Sequence, residues 1–155
     1  MSHSGESNLD ELVKLMNPNL EDEVFVFSKL PLDSKQALDF MVKISDLGVK
    51  MLFREREAWT LILPKSMANA EKLEYMFECR QITLNVHSSL DAVGFLAAIT
   101  TELASKLRIG VNPVSGFYHD HLFVPTGTEE QVIEALRQMS AARGQRDSQS
   151  TISKG

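Results

Sequence analysis

The run Ile82-Thr83-Leu84-Asn85-Val86-His87-Ser88-Ser89-Leu90-Asp91-Ala92-Val93-Gly94 decides how this chain folds. Its first six residues alternate, with Ile82, Leu84 and Val86 on one side and Thr83, Asn85 and His87 on the other, as in a half-buried strand. The apolar spacing then switches to a helical period through Leu90, Val93, Leu96, Ala97, Thr100, Leu103 and Ala104. Ser88 or Ser89 stands where a cap would start that helix. A strand that feeds directly into an amphipathic helix implies a sheet with helices packed on it. Downstream, residues 109–114 read as a strand, Gly116 as a turn and residues 117–124 as a returning strand. Thr128-Glu129-Glu130-Gln131 then has capping-box spacing before a helix that turns Val132, Ile133, Leu136 and Met139 inward.

The upstream half spells the same order. Asn8-Leu9-Asp10-Glu11 caps a short helix with Leu9, Leu12, Val13 and Met16 on one stripe, which Asn17-Pro18 ends. Residues 24–27 form a strand, and Ser34 caps a helix over 35–47 with Leu38, Met41 and Leu47 on one side. Residues 49–55 and 59–63 read as a hairpin, and Ser66 begins a second helix. Each half is strand, helix, strand, strand, helix, at an offset of roughly sixty residues. The expected fold is therefore α+β: two ferredoxin-like βαββα halves in tandem, with antiparallel sheets carrying helices on one face. The expected division is a flexible N-terminus over 1–8, an N-terminal half over 9–78, a C-terminal domain over 79–142 and a disordered tail over 143–155. A ferredoxin-like unit needs one more strand than the second half supplies. The strand near 24–27, or a partner subunit, is expected to complete it.

Composition narrows the function classes. The chain has 155 residues, 43% of them apolar, which suffices for a core. Its net charge of −5 argues against nucleic acid, whose binding draws on a basic face. Arg54 and Arg56 alternate with Glu55 and Glu57, a solvated pattern rather than a phosphate track. Cys79 is the single cysteine, so neither an intrachain disulfide nor a thiolate cluster can form. No window has the apolar length of a membrane span and the N-terminus has no signal-peptide pattern, so a cytoplasmic protein is expected.

Two places could carry chemistry. At the strand–helix junction, Ser88 and Ser89 would lie among free N–H groups that attract a carboxylate, and Asp91 could meet an amine. Gly94, one turn into the expected helix, would permit close approach of backbone or ligand. Capping and tight packing explain the same residues without any ligand. The second place is Phe117-Tyr118-His119-Asp120-His121-Leu122-Phe123, where ionisable groups sit among large apolar ones and should be hydrogen-bonded. His119 and His121 could share a metal with His87, but no carboxylate or cysteine spacing supports one, and a structural role is preferred. Neither serine lies in a G-x-S-x-G elbow, so no catalytic residue is assigned.

These two stretches, with Leu12 to Met16, Pro18, Val26-Phe27 and Thr60-Leu61-Ile62-Leu63-Pro64, resemble a family of small, mostly bacterial ACT-domain proteins of unknown function. The family is related to amino-acid-sensing ACT proteins. Asp91 and Gly94 also resemble the broader ACT pattern of an acidic residue before a glycine at the first strand–helix junction. The resemblance implies a regulatory, amino-acid-binding module with Ser88, Ser89, Asp91, Gly94, Asn112 and Val114 at the ligand. His87, His119, Asp120 and His121 would be structural polar groups nearby. It implies no catalytic residue, cofactor, metal or nucleic acid, and it is compatible with a homodimer. Ala58, Pro113 and Phe117 depart from the family pattern, and Pro113 places its strand at an edge or a bulge. The alternatives are an oligomerisation module without ligand, and a histidine-dependent metal enzyme.

Overall fold

In the computed structural model, residues 5–152 are described, with side chains as far as residue 145. The elements run α1 (Leu9–Leu15), β1 (Pro18–Leu30), α2 (Lys35–Lys43), β2 (Met51–Arg54), β3 (Trp59–Pro64), α3 (Lys65–Ala70), β4 (Tyr75–Leu84), α4 (Phe95–Leu107), β5 (Asn112–Ser115), β6 (Asp120–Pro125) and α5 (Glu129–Ile152). Strand neighbours follow the order β2-β3-β1-β4-β6-β5, so the fold is α+β with the expected strand–helix alternation. β1 lies beside β4, but its residues 24–27, expected to complete the second half, fall in the unit Asp22–Arg80, and only its first residues, up to Glu21, go with Gln81–Gly155.

The chain divides into two compact units, Asp22–Arg80 and Met1–Glu21 with Gln81–Gly155. In the first, Ser34 caps α2 by accepting from the Ala37 N–H at 3.1 Å. β2 and β3 form the expected antiparallel hairpin, with Leu52 opposite Leu61. The core is Val26, Leu30, Ala37, Phe40, Leu47, Leu61, Leu63, Ala68 and Leu73. The inward stripe of α2 differs from the expected one: Ala37 and Phe40 are buried, whereas Leu38 is 67% exposed.

In the second unit, Asn8 caps α1 by accepting from the N–H groups of Asp10 and Glu11 at 2.9 and 3.2 Å. Leu12, Val13 and Met16 of α1 enter a core with Ile82, Leu84, Phe95, Ile99, Leu103, Leu122, Val124, Val132 and Leu136. The first helix thus serves the C-terminal half, and the compact division departs from one at residue 78 for this reason. Each fully buried leucine of that stripe stabilises the unit by about 1.5–3 kcal/mol relative to exposure. Residues 5–8, expected to be flexible, are engaged: Glu6 bridges to Ser88, with Glu6 N–H donating to the His87 carbonyl at 2.8 Å. Residues 143–152, expected to be disordered, continue α5 to Ile152. Ala141, Ala142, Arg143 and Gln145 are strong helix formers, and Arg143 pairs with Asp10 of α1. Residues 1–4 and 153–155 of those two expectations lie outside the described residues.

Candidate functional site

β4 ends at Leu84, yet α4 begins only at Phe95. The expected serine cap is therefore displaced. Gly94 is the cap residue, at φ +89°, a left-handed conformation that costs glycine nothing sterically. Residues 85–93 form a loop because their backbone groups find partners outside a helix. Ser89 N–H donates to the Glu6 carbonyl at 2.8 Å, and Ala92 N–H donates to the Ser89 carbonyl at 2.9 Å. Ser89 Oγ accepts from the Asp91 N–H at 3.3 Å. No side chain caps α4, and the first intrahelical bond runs from Ala98 N–H to the Gly94 carbonyl. The preceding N–H groups of Phe95, Leu96 and Ala97 are thus left as donors at the positive end of the helix dipole.

Asp120 faces this junction. It opens β6 directly opposite Ser115 of β5, and Ser115 Oγ donates to its Oδ1 at 2.6 Å. Ser88 Oγ donates to Oδ2 at 2.8 Å, so the 85–94 loop is tied to the β5–β6 hairpin through one carboxylate that is only 6% exposed. Two charge-assisted bonds offset the desolvation that burial imposes on this group. A carboxylate has about four acceptor sites, so capacity remains for a further donor. Ser88, Ser89, Gly94, Ser115, Asp120 and the first residues of α4 line one cavity of about 180 Å³.

The expected ligand residues divide. Ser88, Ser89 and Gly94 line the cavity, whereas Asp91 is exposed and Asn112, Val114 and Asp91 are not among its walls. Asp120 and Ser115 stand in their place. The sequence implies only a structural part for Asp120. The signal available in sequence was the alternation of the His119-Asp120-His121 strand, which puts Asp120 on the face of Leu122 and Val124, toward the helices. Ser115 carried no such signal, because its role comes from cross-strand register.

The three histidines take separate partners. His119 Nδ1 lies 3.2 Å from the Val86 carbonyl, to which it donates. His121 Nδ1 lies 3.0 Å from Thr83 Oγ1 and 3.2 Å from Gln81 Nε2, on the strand face opposite Ile82 and Leu84. The His87 ring packs on Tyr118 with centroids 5.6 Å apart, and its buried Nε2 has no hydrogen bond among the described residues. Among the described residues no three His, Cys, Asp or Glu side chains group as metal ligands. Cys79 is buried and donates to the Phe25 carbonyl at 3.3 Å, and burial pushes its thiol up to about 12. That thiol is not a nucleophile at neutral pH.

A larger recess of about 540 Å³ opens in the unit Asp22–Arg80, between Phe27, Lys29, Thr60, Tyr75 and Met76. Within its polar wall Thr60 donates to Glu55. The junction cavity differs in presenting a buried carboxylate and an uncapped helix start together.

ACT-domain models match residues 4–80 and 76–138. A solved protein of unknown function from Vibrio cholerae, described as a possible transport protein, is 34% identical over 85% of this chain and 95% of that one, with a TM-score of 0.72. The chain belongs to the ACT-domain family. It carries two ACT domains in tandem. The regulatory subunit of aspartate kinase from Thermus flavus shares the fold at 10% identity over 81% of this chain and 98% of that one, with a TM-score of 0.62. A protein from Agrobacterium tumefaciens does so at 16% identity over 79% and 87%, with a TM-score of 0.58. No curated protein matches the sequence. No helix among the described residues of this ACT protein is long and apolar enough to cross a membrane.

Proposed function

We propose that this ACT protein is a non-catalytic sensor or regulatory module that binds an amino acid at the junction of β4, the 85–94 loop and α4. One observation carries the reading: a buried carboxylate, Asp120, and the uncapped N-terminus of α4 line the same cavity. The two ends suit the two ends of an amino acid. The ligand carboxylate meets the N–H groups at Phe95 to Ala97, and the ammonium group meets Asp120. The amine-binding role thereby moves from Asp91 to Asp120. The regulatory part draws on the family and on the aspartate kinase regulatory subunit that shares its fold.

Thermal unfolding in the presence of each of the twenty amino acids tests the reading. A ligand present at a hundred times its Kd stabilises the native state by about 2.7 kcal/mol. No rise in melting temperature with any amino acid at millimolar concentration would contradict it.

A second reading, an oligomerisation module, is favoured by Leu90, Val93, Phe117 and Tyr118, which are 68%, 85%, 65% and 63% exposed. They lie on the two loops that the Ser88–Asp120 bond joins. Light scattering separates the readings, because Val93→Asp would abolish a dimer built on these loops and leave ligand binding intact.

A further inference from the structure

We infer that two copies of this chain meet face to face on the sheet side of the unit Asp22–Arg80 that lies away from α2 and α3, with Met76 of each copy seated in the recess of the other. The inference stands apart from the amino-acid reading and uses none of its residues. Val26 and Leu30 turn into the core with Ala37 of α2 and Ala68 of α3, so alternation puts Phe27 and Lys29 on the opposite face of β1. Cross-strand register adds Thr60 opposite Lys29, and Phe53 opposite Thr60. Phe27, Lys29 and Thr60 are walls of the recess of about 540 Å³. β4 supplies the next wall. Tyr75 packs against the core, whereas the Phe77 ring meets Phe27 edge-on at 5.6 Å, at a left-handed backbone of φ +55°. The alternation breaks there, and Met76, between the two, lines the recess while standing 74% exposed. Phe53 is 60% exposed beside it.

Two features make a second copy the occupant. An apolar hollow and two apolar side chains left in water share one face, which is the self-complementary pattern a two-fold contact requires. What protrudes from one copy fills what is hollow in the other, and a flexible methionine suits an aromatic-walled recess. Charge is self-complementary too. Lys29 and Glu74 both line the recess and are exposed, and neither has an ion pair among the described residues. Glu55, the third charged lining residue, already accepts from Thr60. Across a two-fold, Lys29 of one copy faces Glu74 of the other, and the reciprocal pair forms with it. A partner of one charge would satisfy only one of the two. The wall is set before association, because Ser28 Oγ donates to the Glu74 carbonyl at 2.7 Å and ties β4 to β1.

Sedimentation velocity of the full chain, from micromolar to millimolar concentration, tests this. The expected result is a monomer–dimer equilibrium. Met76→Asp changes a side chain that stands in water, so the circular dichroism spectrum and melting should be kept while the dimer weakens at least about tenfold. Lys29→Glu and Glu74→Lys should each weaken it several-fold, because like charges then face each other at both ends of the contact. The two exchanges combined should restore the dimer. A monomer throughout the range would overturn the inference and leave the recess to some other partner. A dimer that survives Met76→Asp would overturn it as well, and its loss with Val93→Asp would then place the contact on the 85–94 loop. A combined exchange as weak as either single one would overturn the pairing of Lys29 with Glu74.

Discussion

Asp120 sits where two serine hydroxyls converge, and its neighbours decide what a substitution there does. Asp120→Asn keeps the shape and can still accept from one serine, so the loss of stability should be about 1–2 kcal/mol. The same change removes the charge that would hold a ligand ammonium. Amino-acid binding should therefore fall much further than stability does, which parallel calorimetry and chemical denaturation will show. Gly5 is a second residue with a definite prediction. It has φ +140°, and a Cβ there would come within 2.7 Å of the Ser89 nitrogen. Gly5→Ala should cost at least about 1 kcal/mol and speed amide exchange at Ser89, whose N–H is held by the Glu6 carbonyl. Cys79 gives a pH dependence. Its thiol moves from an ordinary 9.0 to about 12 in the folded state. The folded chain keeps the proton after the unfolded chain has lost it, so stability should fall as pH rises from about 9 towards about 12. Cys79→Ala should remove that part of the slope in denaturation curves taken across the range.

At the scale of elements, α1 is the informative case. Its stripe was legible, because Leu9, Leu12, Val13 and Met16 follow the helical period and Asn8 supplies the cap. Its destination was not, since periodicity says which face is buried and not against what. The helix packs in the core that holds α4 and α5. A fragment of residues 79–142, which the repeat suggests as a free domain, lacks both α1 and the strand beside β4. It should fail to show a cooperative thermal transition by circular dichroism. In the full chain, Leu12→Ala should cost about 2–5 kcal/mol, the range for a buried leucine.

The junction shows the opposite limit of sequence reading. β4 begins at Tyr75, seven residues earlier than the alternation from Ile82 implies, ends at Leu84, and is buried on both faces from Gln81 to Leu84, while α4 starts at Phe95, several residues later than expected. Ser88 and Ser89 are good cap residues, but no local pattern encodes that the Glu6 carbonyl takes the Ser89 N–H and the Val86 carbonyl that of Ser88. Likewise Pro113 announced an edge strand, and β5 is the last strand of its sheet order. The pairing of Ser115 with Asp120 depends on register across that hairpin, which no local pattern encodes. Low apolar content makes residues 143–155 read as disordered, whereas α5 continues to Ile152 with the Arg143–Asp10 pair holding it to α1.

At the scale of the whole molecule, the central proposal is that the tandem ACT chain receives an amino acid at the α4 junction. Nitrogen-15 amide spectra recorded during titration with each of the twenty amino acids test it most directly, because they report both binding and place. The account predicts saturable shifts centred on Ser88, Ser89, Phe95, Leu96 and Ala97, which Asp120→Asn abolishes. Unshifted spectra at millimolar ligand, or shifts centred on the recess beside Phe27 and Tyr75, would contradict it.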